Sequence, residues 1–431
     1  MIVQNLNALQ VEKTPLFLTS FAGLPLVLGL AHHLHLPQEL DGISGLKARR
    51  RGYSASDHLL ALAMTLTAGG AALDDIELLR SDAGIREIVE GSFFPAPNTL
   101  GEFLRGFDQG SLWQLGEVSS KLVRRLISQK KLSSLTLDMD ATLIESEKEE
   151  ARTTYKGFTG YDPLLVWIPE VNGFLSGIFR EGNASPQSHN ASLLRKCLRL
   201  LPQGLSLRFR ADSAAYQEKV VQECVDHGIP FAIGADLDVS VVAAIARIPE
   251  KNWKIIHRGE DTFALAETVH APFNNKHLPS FRLIVTRRIT WQLELFKSPI
   301  KDHAILSSLP EVLSTEAALD FYNARGTAEK WLGELKNGFG LAKLPCKEFL
   351  ANAAYFQTSL LAYNLSSAFK ILCLPESWRN FTIKTLRYRL LGQAALVVRH
   401  ARRTLLKLSA SYPYFPIFDQ ARRSLFAPAP T

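Results

Sequence analysis

Residues 132–142 read Leu-Ser-Ser-Leu-Thr-Leu-Asp-Met-Asp-Ala-Thr, and this stretch decides the fold. Its hydrophobic residues recur with period two, which is the spacing at which a β-strand alternates its side chains between two faces. One face carries Leu135, Leu137 and Met139, and the other carries Thr136, Asp138 and Asp140. The pattern therefore predicts a half-buried strand that presents both aspartates together.

Two more strands are predicted directly after the first, over residues 164–170 and 174–180. Asn172-Gly173 lies between them, and both residue types tolerate the positive φ that a tight hairpin turn requires. We therefore expect three antiparallel neighbouring strands.

The chain then alternates helices and strands. Caps and periodicity predict a helix from Asn190 to about residue 201, a strand over 205–211, a helix from Ser213 to Gly228 and a buried strand over 231–235. Short segments around 253–257, 262–268, 281–286 and 290–296 predict a β-rich insertion at about 238–300. This order indicates an α/β fold in which a mixed sheet is flanked by helices.

The two ends of the chain are predicted to be helical. In residues 1–130, Ser54 to Asp57 caps an apolar stretch, and Arg49-Arg50-Arg51 leaves open whether this region binds DNA or only packs. The net charge is +7, and residues 346–431 hold 12 Lys or Arg against 3 Asp or Glu. A basic tail, predicted as an amphipathic helix pair over 384–407, indicates a polyanion partner, with a membrane surface as the alternative.

Four residues are spaced to share one face of a helix: Tyr322, Arg325, Glu329 and Lys336 lie at offsets of 0, 3, 7 and 14. At about 100° per residue they fall within a stripe of roughly 60°. The helix is expected to run from Ser314 or Thr315 to about Gly338. Two glycines inside it, at 326 and 333, each cost about 1 kcal/mol relative to Ala.

Three acidic residues and a basic flank suit a divalent metal and a phosphodiester. Carboxylates are hard oxygen ligands, and two Mg²⁺ ions roughly 3.5–4 Å apart can activate the attacking oxygen and stabilise the leaving oxygen. We expect Asp140 to bridge the ions, with Asp212 at the end of a neighbouring strand and Glu329 on the helix. Arg325 and Lys336 would hold flanking phosphates.

These residues and this strand order resemble the ribonuclease-H-like catalytic core of DDE-type insertion-sequence transposases. The spacing Tyr-(2)-Arg-(3)-Glu-(6)-Lys matches that of one subgroup without a gap, and Asp140-Ala141-Thr142 matches its Asp-x-Thr motif. The resemblance implies an acidic triad of Asp140, Asp212 and Glu329, with Tyr322, Arg325 and Lys336 as DNA-binding residues. It covers residues 131–345, which leaves a helical region at 1–130 and a basic helical region at 346–431.

The same resemblance implies cut-and-paste transposition that depends on Mg²⁺, with Mn²⁺ as a substitute. Water attacks a phosphodiester at a terminal inverted repeat, and the freed 3′-hydroxyl attacks target DNA or first the opposite strand. Double-stranded DNA is thus the implied partner and a dimer the implied state on DNA. Trp253 and Trp291 become candidates for stacking on distorted DNA, with burial in a strand as the other interpretation. Asp138 shares the face of Asp140, so either is the first triad member and either is a candidate metal ligand.

Two alternatives remain at this level. The stretch from Leu137 to Leu143 also resembles the first motif of haloacid-dehalogenase-type phosphatases, and a transposase descendant that only binds DNA would keep the same fold. Four scattered cysteines, without a Cys-x-x-Cys spacing, indicate neither a zinc site nor a disulfide framework. The apolar run 15–31 is interpreted as a buried helix, so we expect no membrane partner and a location in the cytoplasm, at the nucleoid.

Overall fold

The fold is built on a nine-stranded mixed sheet. The computed structural model describes residues 9–46, 52–89, 94–258, 261–289, 300–401 and 403–425. The strands are β1 Leu18–Thr19, β2 Ser134–Ala141, β3 Ile144–Glu145, β4 Arg152–Thr153, β5 Thr159–Tyr161, β6 Leu164–Ile168, β7 Gly173–Ile178, β8 Ser206–Ala211, β9 Phe231–Ala235, β10 Lys254–Arg258, β11 Asp261–His270, β12 Phe281–Ile289, β13 Ile300–Ser307, β14 Ala395–His400 and β15 Arg403–Leu408.

Helices precede, interrupt and follow this sheet in the chain. They are α1 Leu24–His33, α2 Leu36–Asp41, α3 Ala55–Ala68, α4 Ile76–Ser81, α5 Ala83–Ile88, α6 Pro97–Arg105, α7 Gln109–Gln129, α8 Asn190–Leu200, α9 Glu218–Asp226, α10 Val239–Ala246, α11 Thr315–Asn323, α12 Gly326–Gly338, α13 Phe349–Cys373, α14 Ile383–Leu386 and α15 Phe415–Ser424. Ser54 caps α3 in a capping box with Asp57, as the sequence predicts.

The core of the sheet has the predicted order of strands. β6 is antiparallel to β2 and to β7, whereas β8 is parallel to β2 and β9 is parallel to β8. The spatial order β7-β6-β2-β8-β9 confirms a ribonuclease-H-like mixed sheet. The turn between β6 and β7 is longer than predicted: a 3₁₀ turn over Pro169–Val171 precedes Asn172, whose φ is 47°.

The β-rich insertion continues this sheet. After α10, strands β10 to β13 form an antiparallel ladder, and β13 pairs with β9. The sequence did not predict β13, and the strand predicted over 290–296 lies outside the described residues. The insertion thereby extends the sheet to the edge strand β10, which is six strands away from β2.

The two faces of the sheet are covered by different helices. Leu135, Leu137 and Met139 of β2 belong to the main hydrophobic core, which also contains apolar residues of α7, α8 and α13. On the opposite face, Ala232 and Ile305 pack with α11 in a smaller cluster. Asp138 and Asp140 belong to that second face, since successive side chains of a strand alternate.

Helix α13 ties the two ends of the chain to the sheet. It is almost entirely buried between α7, α3, α6 and β7. Its Asn364 accepts a hydrogen bond from the backbone N–H of Phe174 at 2.8 Å and donates to the Phe174 carbonyl and to Ser119 Oγ, both at 2.9 Å. The region boundaries at 130/131 and 345/346 stay predictions, because the helices on either side of them share this one core.

The single helix predicted from residue 314 to 338 is wrong. The structure has α11 and α12 instead, broken at Ala324 and Arg325. Hydrogen bonds from the N–H groups of Arg325, Thr327 and Ala328 there reach back three residues rather than four. Glycine at 326 favours such a break because it is a poor helix former.

The amphipathic helix pair predicted over 384–407 is also wrong. α14 and a π-helical turn at Arg387–Leu391 lead into the hairpin β14–β15, which pairs with β1. Several cations of the basic tail are used inside the fold. Arg387 donates to the carbonyls of Leu66, Thr67 and Gly338 at the ends of α3 and α12, and its burial lowers the pKa of Arg387 to about 10.

The apolar run at 15–31 contains β1 and most of the buried helix α1. Among the described residues, no single helix has the length and hydropathy of a membrane span. Ala55–Ala68 and Leu73–Ser81 meet that criterion only as a pair, bent by 88°.

We predict that Asn364→Ala lowers the free energy of unfolding by about 2–4 kcal/mol, because it leaves buried backbone groups of β7 without partners. Chemical denaturation measures this change. Asn98→Ala, at an exposed position, is the control and should change stability by less than about 0.5 kcal/mol. Equal stabilities for the two variants would contradict the role given to Asn364.

Candidate active site

The parallel register of β2 and β8 positions the acidic residues. Asp138 lies opposite Arg210 and Met139 opposite Ala211, so the next step of the register sets Asp140 beside Asp212. Adjacent strands are about 4.8 Å apart, and residues 138, 140, 210 and 212 share one face. The sequence prediction that Asp140 and Asp212 meet at the ends of neighbouring strands agrees with this geometry.

Asp138 is part of a buried ion pair. Its Oδ2 accepts a hydrogen bond from Arg210 Nε at 2.8 Å and lies 2.7 Å from Nη2 in an ion pair, and Arg210 also donates to the Phe321 carbonyl of α11. The carboxylate is 1% exposed. Burial raises the pKa of Asp138 to about 6 against the opposing effect of Arg210. One of its oxygens, Oδ1, is buried without a hydrogen bond.

Asp140 is less deeply buried than Asp138, with about 13% of its side chain exposed. Its Oδ2 is 3.4 Å from Nη2 of Arg325, and its Oδ1 accepts from the N–H of Ala141 at 2.9 Å. Burial raises the pKa of Asp140 to about 7, Arg325 opposes that rise, and the carboxylates of Asp212 and Asp138 add to it. Asp212 Oδ1 accepts from the N–H of Ala214 at the start of a 3₁₀ turn.

Glu329 does not reach the aspartates in this structure. It is exposed on α12, one helical turn beyond Arg325, which is a rise of about 6 Å. Within the described residues, no three His, Cys, Asp or Glu side chains lie close enough together to hold a metal ion. Two of the three predicted triad members therefore lie side by side, and the third lies one helical turn away from Arg325, which contacts Asp140.

Lys336 and Tyr322 occupy different environments. Lys336 is half-buried and donates from Nζ to the carbonyl of Leu143 at 2.8 Å, just beyond the end of β2. Tyr322 is 6% exposed, and its hydroxyl is 3.5 Å from Nε2 of His303. A Cβ added to Gly234 of β9 would lie 2.8 Å from that hydroxyl, so glycine is required there for the close approach. The ring of Tyr322 is thus buried between α11 and the sheet.

The tryptophan candidate Trp253 lies away from the carboxylates. Trp253 precedes the edge strand β10 and packs against the guanidinium of Arg287, whose Cζ is 4.2 Å from its ring centroid. Six strand spacings separate β10 from β2. Trp291 lies outside the described residues.

Sequence reasoning missed three residues near the site: Arg210, Tyr155 and Lys156. The alternation of residues 205–211 places Arg210 on the same face as Arg208 and Asp212. Only the register with β2 makes Arg210 the partner of Asp138. Tyr155 and Lys156 form the tip of the β4–β5 hairpin, which the turn residue Gly157 could have indicated.

A family described as "Transposase DDE domain group 1" matches residues 5–428. The chain belongs to this transposase family. The transposase is therefore a DDE-type enzyme that acts in DNA transposition. Proteins of this family generally use divalent metal ions. The phosphatase interpretation is wrong, and the topology agrees, because β6, the next strand of the main sheet along the chain, is antiparallel to β2.

Two solved structures are similar to the transposase at low identity. The first is the cryo-EM structure of the piggyBac transposase synaptic complex with hairpin DNA, at 10% identity over 94% of this chain and 83% of that one, with a TM-score of 0.47. The second is the crystal structure of the Mos1 strand transfer complex, at 12% identity over 46% of this chain and 67% of that one, with a TM-score of 0.17. No curated protein matches the chain in sequence.

We predict that Arg210→Met lowers the free energy of unfolding by about 3–5 kcal/mol, because it leaves the Asp138 carboxylate buried without its cation. Arg208→Met is the matched control, since Arg208 lies two residues earlier on the same strand and is exposed. Thermal and chemical unfolding measure both variants. A loss of stability that is the same for the two would show that the Asp138–Arg210 pair does not support the sheet.

Proposed function

We propose that this transposase cleaves DNA at the ends of a mobile element and joins the freed 3′-hydroxyl to target DNA, with Asp140, Asp212 and Glu329 as its catalytic acids. The observation that carries the proposal is the placement of Asp140 beside Asp212 at the ends of two parallel strands. Arg325 forms an ion pair with Asp140 there. We also propose that the transposase belongs to the Tyr-Arg-Glu-Lys subgroup, which the spacing of Tyr322, Arg325, Glu329 and Lys336 supports.

The donor atoms suit Mg²⁺, with Mn²⁺ as a substitute. Asp140 and Asp212 supply carboxylate oxygens on one face, which are the ligands that both hard cations prefer. The pair carries two negative charges against the single cation Arg325, and such a convergence of like charges favours a bound cation. When bound, two metal ions supply an activated nucleophile and stabilisation of the leaving oxygen.

Asp140, rather than Asp138, is the better first member of the triad. Asp138 is buried and holds Arg210 through a hydrogen bond and an ion pair at 2.7 Å, whereas Asp140 is partly exposed and its ion pair with Arg325 is longer, at 3.4 Å. The buried Oδ1 of Asp138 has no hydrogen bond, so Asp138 remains a candidate for an indirect contact with the metal site.

Glu329 would complete the site through a movement of α12. The break at Ala324 and Arg325 separates α12 from α11, which is anchored under the sheet by Tyr322. A rotation about this break would change the position of Glu329 relative to Asp140 without disturbing α11. Arg325 lies at the break, where the same movement would free its guanidinium for a DNA phosphate.

The proposed partners are the terminal inverted repeats and target DNA, held by a dimer in the cytoplasm at the nucleoid. Exposed cations on the β14–β15 hairpin, such as Arg403 and Lys407, support contact with a DNA backbone. A transposase-derived protein that only binds DNA is the competing proposal, and the retention of all three acids favours catalysis over it.

We predict that Asp140→Asn, Asp212→Asn and Glu329→Gln each abolish metal-dependent cleavage of a duplex that carries the element's terminal repeat, with a loss of at least about 10³-fold, because each removes a ligand charge. Gel analysis of end-labelled DNA with Mg²⁺ or Mn²⁺ measures cleavage, and fluorescence anisotropy measures binding. Binding should change by less than tenfold.

Glu316→Gln, at an exposed position in the first turn of α11, is the control and should cleave like the wild type. A wild-type protein that binds the repeat but leaves it intact with either metal would favour the protein that only binds DNA. Full activity of Glu329→Gln would remove Glu329 from the triad.

A further inference from the structure

A cavity of about 780 Å³ lies at the end of the sheet where β2 and β8 begin. Its walls are the C-terminal ends of α1 and α8, the second half of α7 and Leu372 of α13. Helices α7 and α8 lead directly into β2 and β8, whose first residues, Ser134 and Ser206, are paired. Asp140 lies six residues further along β2, which at about 3.3 Å per residue is a distance of roughly 20 Å. The cavity is therefore separate from the proposed catalytic site.

The floor of this cavity is apolar and belongs to the main hydrophobic core. Its leucines are Leu34, Leu122, Leu126, Leu200 and Leu201. The α1 end of the floor is fixed to α7, because Nη1 of Arg125 donates to the carbonyl of Leu34 at 2.5 Å. Cavities of about 300–1,000 Å³ with apolar walls are typical of binding sites for small organic molecules. The size and the floor therefore suit a small ligand with an apolar part.

Four basic side chains line the same cavity: Lys121, Arg124 and Arg125 of α7, and Arg199 of α8. The three on α7 share one face, since residues three and four apart on a helix are neighbours. Glu39 of α2 pairs with two of them, at 2.7 Å from Nη2 of Arg125 and 3.6 Å from Nζ of Lys121. Within the part of the chain that the structure describes, Arg124 and Arg199 form no ion pair, and Nε of Arg124 is buried without a hydrogen bond.

The cavity keeps an excess of positive charge after the opposing charges are subtracted. Four cations and the carboxylate of Glu39 leave three positive charges. The C-terminal ends of α1, α7 and α8 each contribute about half a negative charge, so an excess of roughly +1.5 remains. Cations that are held together without enough counter-charge favour a ligand with several negative charges over one with a single charge.

We propose that this cavity binds a nucleoside polyphosphate. The base and sugar lie on the leucine floor, and the phosphate chain pairs with Arg124 and Arg199, the two cations that lack a counter-ion. A nucleotide combines an apolar ring with several negative charges in a molecule of this size. A DNA backbone would meet the cations but would leave the apolar floor uncovered. The inference does not depend on the proposed function, because it requires neither DNA nor cleavage.

The class of ligand is tested by isothermal titration calorimetry of the full chain without DNA or divalent metal. The probes are ATP, adenosine and inorganic tripolyphosphate. We expect ATP to bind at least about tenfold more tightly than either of the others, because only ATP uses both the apolar floor and the cations. If tripolyphosphate binds as tightly as ATP, the protein attracts polyanions by charge alone and the proposal is wrong. If adenosine binds as tightly, the cations do not take part and the proposal is equally wrong.

The location is tested with variants. Arg124→Ala and Arg199→Ala should each weaken ATP binding by about tenfold, because each removes a charge-assisted contact with a phosphate. Arg86→Ala is the matched control, since Arg86 is exposed in the last turn of α5 as Arg199 is in the last turn of α8. Ser128→Trp, at an exposed position that lines the cavity, fills part of it without a change of charge and should also weaken ATP binding by at least about tenfold. Thermal unfolding checks that all variants fold.

The outcomes separate this site from the catalytic proposal. If Arg199→Ala and Ser128→Trp bind ATP as Arg86→Ala does, ATP does not bind in the cavity and the proposal fails. If a short duplex of arbitrary sequence displaces ATP, and Arg199→Ala weakens that duplex as much as it weakens ATP, the surface is a DNA contact and not a nucleotide site. Asp140→Asn should bind ATP like the wild type, so a loss of cleavage in that variant leaves this proposal unaffected.

Discussion

The parallel pairing of β2 with β8 is the constraint on which the site depends. Its register sets Asp138 opposite Arg210 and, one step later, Asp140 beside Asp212. The first pair neutralises a carboxylate inside the sheet, and the second brings two carboxylates together at the C-terminal ends of the two strands. A slip of β8 by one residue would move Arg210 and Asp212 to the apolar face covered by α7, α8 and α13, so packing of the core and assembly of the site depend on the same register.

Helix α13 explains why this register is stable in a chain whose ends are far from the sheet in sequence. It lies buried against the edge strand β7, and the amide of Asn364 supplies the hydrogen bonds that a further strand would have made with Phe174. The same amide reaches Ser119 of α7, so the N-terminal helices, the sheet and the C-terminal region share one set of polar contacts. Arg387 of the C-terminal region also donates hydrogen bonds to backbone carbonyls at the C-terminal ends of α3 and α12.

Much of the core could be predicted from the sequence because its signals are local. Period two identified β2, the Asn172-Gly173 dipeptide identified an antiparallel neighbour, and the bounds predicted for β9 match those observed. The break at Arg325 was not predicted, since an even spacing of polar residues looks the same across two helices as across one. The hairpin β14–β15 was missed for a related reason: its alternation is mixed with cations, and its pairing partner β1 lies almost 400 residues earlier.

Three aspartates near the site each have their own arginine, and the three pairs differ in a way that assigns their roles. Asp138–Arg210 and Asp162–Arg180 have separations of 2.7 and 2.6 Å and side chains no more than 6% exposed. Separating either pair would leave a buried charge, so both are structural. Asp140–Arg325 is longer, at 3.4 Å, and each side chain is 13% exposed. Its arginine lies at a helix break rather than on a strand, so this is the pair that can exchange a guanidinium for another cation at the lowest cost.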